Sequence, residues 1–128
     1  YKLSINVNNN VSAVSAEVIQ PLVGLLRDGT KTSKVDVLGL LWILSTTLEN
    51  KVRIVNAGVL EALVSLLHEG NTQEVIQALG VLSSLVTDNP DNKNTVANLG
   101  AIQLLELLSN NADDIIRESA GILLHKFN

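Results

Sequence analysis

The sequence predicts an all-α solenoid, a row of similar units of about 41 residues with three helices in each. Three observations carry the prediction. First, the chain repeats itself: "VIQPLVGLLRDG" from Val18 returns as "VLEALVSLLHEG" from Val59, and "ENKVRIVNAG" from Glu49 returns as "DNKNTVANLG" from Asp91. Second, apolar residues inside the repeated blocks fall at i, i+3, i+4 and i+7, which is the period of a helix. Third, 46% of the 128 residues are hydrophobic, yet only Tyr1, Trp42 and Phe127 carry rings. A core built of Leu, Val, Ile and Ala fits helices packed on helices.

The first helix of a unit is short, at about residues 50–56 in one copy and 92–98 in the next. Gly58 and Gly100 follow, where a sharp turn favours a residue free to take positive φ. The second helix covers about residues 59–67. Its leucines step by 41 along the chain: Leu22, Leu63 and Leu104; Leu25, Leu66 and Leu107; Leu26, Leu67 and Leu108. Pro21 falls in the first turn of this helix in its own unit, where a missing N–H is harmless. Gly29 and Gly70 fit the helix C-terminus. The third helix covers about residues 72–86, with Val75, Ala78, Leu79, Leu82, Leu85 and Val86 on one face. Gly39, Gly80 and Gly121 recur in this helix at the same step, as do Leu41, Leu82 and Leu123. Pro90 stands beyond its end, where helix cannot continue. Asp113 and Asp114 precede the last apolar helix, where negative charge suits the N-terminus.

Leu3, Leu44 and Leu85 keep the same step, so residues 1–8 read as the tail of a preceding repeat. Residues 9–49, 50–91 and 92–128 read as three further repeats of one domain. The last closes on "LLHKFN" with no polar cap. The expectation is a piece of a longer array, able to self-associate through its uncapped ends. Each unit needs a neighbour to cover its apolar face.

Composition narrows the function. With no cysteine there is neither a disulfide nor a thiol nucleophile. A net charge of −4 argues against nucleic acid, whose phosphates call for surplus Lys and Arg. No apolar run approaches the roughly 18 residues that a membrane helix needs. With no signal-peptide pattern, the expected location is cytoplasmic or nuclear. His68 and His125 have no metal-ligand spacing, and "DNPDN" lacks the Gly and distal Glu of a calcium loop. "NVS" at Asn10 matches a glycosylation sequon by chance in such a chain. No phosphate-binding loop and no nucleophile, base and orienting acid can be assembled. The chain is therefore read as no enzyme, with no cofactor and no metal.

The blocks "IVNAGVLEALVSLL" and "ALGVLSSLV" resemble armadillo repeats, and the resemblance covers essentially the whole chain. It implies a right-handed α-solenoid that binds another protein or a peptide along a groove of third helices. "LSINVNNNVSAVSAEVI" and "TLENKVRIVNAGVLEALVSLL" are similar to the armadillo region of plant U-box proteins, which are ubiquitin ligases. That likeness implies the partner-binding, substrate-recruiting end of such a ligase, with no ligase activity of its own. Carried across from importin-α and β-catenin, the groove's Asn ladder falls on Lys2, Ile43, Ser84 and His125. The Trp array of importin-α falls on Gly39, Gly80 and Gly121. Neither amide nor ring is present, which argues against recognition of nuclear-import signals.

The candidate groove residues are therefore Asp36, Gly39 and Ile43; Gln77, Gly80 and Ser84; and Glu118, Gly121 and His125. Two readings of the glycines stand side by side: close packing of adjacent third helices, or a shallow channel for a partner's side chains. Two carboxylates in the row suit a mildly basic or polar partner, against the alternative of a solvated face. Trp42 beside them either packs into the core or anchors a ligand. Ile43 is apolar at a nominally exposed place, which suggests a contact surface. Two alternatives to the interaction module remain: a structural or dimerisation segment with no groove ligand, and a peptide binder like the nuclear-transport adaptors.

Overall fold

The computed structural model describes residues 16–29 and 31–127. Among them are eight helices and no strand: α1 Ala16–Asp28, α2 Lys31–Leu44, α3 Leu48–Asn56, α4 Val59–Glu69, α5 Thr72–Val86, α6 Pro90–Asn98, α7 Ala101–Leu108 and α8 Asp114–His125. The repeat tail at residues 1–8, Lys2 and Leu3 within it, and the Asn10 sequon lie outside the described residues. So does the short helix of the first unit.

Helices α3, α5, α6 and α8 begin where a side chain takes up free backbone N–H groups. The Thr47 hydroxyl accepts from Asn50 N at 3.3 Å and starts α3. Asn71 and Glu74 form a reciprocal pair at α5. The Asn71 carboxamide oxygen accepts from Glu74 N at 2.8 Å, and Glu74 Oε1 accepts from Asn71 N at 2.9 Å. Asn89 Oδ1 accepts from Asn92 N at 2.9 Å ahead of α6. Asp113 Oδ1 accepts from Ile115 N and Ile116 N at 2.9 and 3.1 Å ahead of α8. These caps move the short helices two residues earlier than the apolar spacing indicates, to Leu48 and Pro90.

The two prolines sit differently in their helices. Pro90 is the first residue of α6, where its missing N–H has no intrahelical role. Pro21 does not lie in a first turn: it sits inside α1, which already runs from Ala16. The reason is local. Glu17 occupies the place that Gly58 holds one unit later, so no turn interrupts the helix there. Gly58 and Gly100 take φ of 87° each and reverse the chain between α3 and α4 and between α6 and α7. The Arg27 guanidinium donates to the Gly58 carbonyl at 3.2 Å, which ties α1 to the next unit's turn.

The helices form layers. The third helices α2, α5 and α8 pack in series, and the second helices α1, α4 and α7 pack in series behind them. The core lies between the layers. Leu41, Leu82 and Leu123 are all fully buried. The Leu25, Leu66 and Leu107 set is not uniform: Leu66 is 5% exposed, against 42% and 72% for its counterparts. Leu66 belongs to the middle unit, which has helices on both sides, so cover comes from neighbours rather than from the unit itself.

The asparagine of the repeated Asn-Lys pair has a core role. Asn92 is 7% exposed, and its Nδ2 donates to the Leu85 carbonyl at 2.8 Å, closing the C-terminal turn of α5. Asn50 is buried at the matching place after α2.

Candidate functional site

The side-by-side third helices present the candidate groove residues in three stripes. On α2, Asp36 and Ile43 are exposed and Gly39 lies half-buried between them. On α5, Gln77, Gly80 and Ser84 are all partly buried. On α8, Glu118 and His125 are exposed and Gly121 is half-buried. The structure keeps the three stripes in register but does not treat them alike.

Gly80 is in close contact with a ring. A Cβ built on it would lie 2.3 to 2.5 Å from Cη2, Cζ2 and Cζ3 of Trp42. The indole of α2 thus lies on the α5 backbone, and only a residue without a side chain admits it there. Among the described residues, nothing stands within 4 Å of a Cβ on Gly39 or Gly121. Close packing of adjacent third helices is therefore seen at Gly80, while among the described residues nothing meets Gly39 or Gly121. Trp42 packs between helices without being buried. One side of it packs on Gly80 while the residue stays 43% exposed. The position aligned with an importin-α Trp lacks a ring of its own, but the preceding unit lays one across it.

Ser84 is less available than its alignment with the Asn ladder implies. Its hydroxyl donates to the Ser45 carbonyl at 3.2 Å and accepts from Ser45 Oγ at 2.9 Å. Ser45 is fully buried, so this pair fastens the end of α2 to α5. Gln77 holds its Oε1 buried with no hydrogen-bond partner among the described residues.

Beside these stripes, α5 and α8 enclose an open slot of about 420 Å3 that Trp42 borders from α2. Ile76, Gly80 and Ser83 form the α5 wall, and Ile115, Ser119 and Ile122 form the α8 wall. Ile115 is 57% exposed and Ile122 62%, well above an interior isoleucine. Of the nine candidate residues, Gly80 and Ser84 line this slot. Ile76, Ser83, Ile115, Ser119 and Ile122 escaped the sequence reading. It followed one stripe down each helix, whereas the slot is made by the flanks turned toward the neighbouring helix. A signal was present, since Ser83 stands 41 residues after Trp42 and replaces the largest side chain with one of the smallest. Among the described residues, no cluster of His, Asp and Glu is placed to hold a metal ion.

The Armadillo-like family matches residues 2–89, more than half of the chain. The chain belongs to that family. No curated protein matches this armadillo chain. Solved structures agree on the fold. A computationally designed armadillo repeat protein for modular peptide recognition superposes with a TM-score of 0.81 at 24% identity, covering 88% of this chain and 48% of that one. A designed armadillo repeat protein in complex with the peptide (KR)4 superposes with a TM-score of 0.80 at 24% identity, covering 88% and 47%. An engineered protein of another design superposes with a TM-score of 0.78 at 22% identity, covering 93% and 31%. The armadillo chain thus spans less than half the length of these structures.

Proposed function

We propose that this armadillo chain is a non-catalytic protein-interaction module that holds an extended segment of a partner protein along α2, α5 and α8. The observation that carries the reading is the slot of about 420 Å3 with Trp42, Ile115 and Ile122 partly exposed around it. Adjacent apolar side chains left open to water mark a contact surface. A designed armadillo protein of the same fold is held with a peptide, which supports a peptide as the ligand class. The test is capture of partners by the immobilised chain. Trp42→Ala combined with Ile122→Ser should abolish capture, while Leu107→Ser, 72% exposed on α7, should leave it intact. Equal capture by all three proteins would place binding elsewhere.

The likeness of "LSINVNNN" and "TLENKVRIVNAG" to plant U-box proteins supports a narrower reading. In it the chain is the substrate-recruiting part of a ubiquitin ligase working in the cytoplasm or nucleus. The full gene product, supplied with ubiquitin-activating and ubiquitin-conjugating enzymes, should then build ubiquitin chains. An inactive gene product would remove the narrower reading and leave the interaction module standing.

A further inference from the structure

Resting on the groove reading, we propose that the slot between α5 and α8 takes one large, neutral aromatic side chain from the partner segment, flanked by Lys or Arg. The argument starts from the repeat. At the α2–α5 junction, Trp42 supplies a ring that lies on Gly80. One unit later Ser83 stands in the place of Trp42 and Gly121 in the place of Gly80. Among the described residues nothing comes within 4 Å of a Cβ on Gly121. The backbone register that admits a ring is therefore repeated, but the ring is not. Ser83 instead lines the slot of about 420 Å3, whose α8 wall is Ile115, Ser119 and Ile122 rather than Gly121.

The lining defines the guest. No ionisable side chain lines the slot among the described residues, so a charged head entering it would lose water without gaining a partner. Ile76, Ile115 and Ile122 offer apolar walls, and the Trp42 ring borders the slot for an edge-to-face or offset contact. Ser83 and Ser119 can take up the hydroxyl or N–H of a Tyr or Trp.

The surroundings define the flanks. Asp36 on α2 and Glu118 on α8 are exposed in the same row, and the chain carries a net charge of −4. Arg117 is paired with Asp114, and Lys34 lines a separate cavity together with Glu61 and Glu69. The unanswered charge along the row is negative.

Trp42 is the sole tryptophan and reports on the slot by its own emission. The probes are two blocked synthetic peptides, Lys-Lys-Ala-Phe-Ala-Lys-Lys and the same peptide with Ala for Phe, titrated into the intact chain. The Phe peptide should shift Trp42 emission and bind about tenfold more tightly than the Ala peptide. Ser83→Phe should fill the slot from within and erase that preference. Ile122→Ser, at a surface position that leaves folding unchallenged, should reduce it about fivefold or more. Equal binding of the two peptides to the unaltered chain overturns the aromatic slot but leaves the groove standing. Binding of neither peptide removes both. A Phe preference that survives Ser83→Phe and Ile122→Ser overturns the assignment to this slot.

Discussion

At the junction of α2 with α5, Trp42 lies against the bare α-carbon of Gly80, and the Ser45–Ser84 pair ties the ends together. At the junction of α5 with α8, Ser83 faces the walls of Ile115 and Ile122 across open space. The two junctions share a backbone register, set by fully buried leucines that step by 41: Leu41, Leu82 and Leu123. They differ in the side chains laid on it: Trp42 and the Ser45–Ser84 pair at the first have Ser83, Val86 and His125 in the matching places of the second. In a stacked array the leucines hold the units together, whereas positions on the flank of the third helix, Trp42 and Ser83 among them, shape what each junction leaves open. An array can therefore change its binding surface one residue at a time without disturbing its core.

The largest test of this comparison strikes what the junctions share. Leu82 is fully buried on α5, the helix common to both. Leu82→Ala should lower unfolding free energy by about 2–5 kcal/mol, read as a fall in the urea midpoint. An unmoved midpoint would mean that the common wall is not where stability resides.

Next comes the closed junction alone. Gly80→Ala forces the Trp42 ring off the α5 backbone and should cost about 1–3 kcal/mol while shifting Trp42 emission. In a Trp42→Ala background the same change should turn favourable by roughly 0.5–1 kcal/mol, because the nearest obstructing atoms are then gone and a helix-interior glycine is relieved. A cycle of the four proteins that shows no coupling would break the proposed ring contact.

Asn71→Ala removes one half of the reciprocal cap at the start of α5 and should cost about 1 kcal/mol. Amide exchange should speed up first at Glu74 and its neighbours. Protection unchanged there would show that packing, not the cap, holds the first turn in place.

The smallest expected effect has the opposite sign. Gly121→Ala meets nothing within 4 Å among the described residues, so it should raise stability by about 0.4–1 kcal/mol in thermal unfolding. A loss instead would show that the second junction is tighter than its geometry indicates.

Much of this architecture was legible in the residues. The helix at 72–86 has the same bounds in the structure, because its apolar face, its Asn71–Glu74 cap and the flanking Gly70 all signal the same stretch. Gly58 and Gly100 were readable as turns and take positive φ. Pro21 was misplaced although its cause is visible in the chain: Glu17 stands where the next unit has Gly58. The slot was harder. Resemblance pointed to Asp36, Gln77, Glu118 and their partners down one stripe, and only Gly80 and Ser84 of that set reached the slot.

By itself, then, the sequence determined the helices, their order and the step of the repeat. These follow from spacing along a helix and from capping groups a few residues away. Tertiary structure alone decided that Gly80 would be covered by a ring while nothing among the described residues covers Gly121. A tryptophan on one helix acts on the next only after the two are packed, at a distance set by the leucines beneath them. The same packing left Ile115 and Ile122 uncovered, since residues that share a period need not share a neighbour.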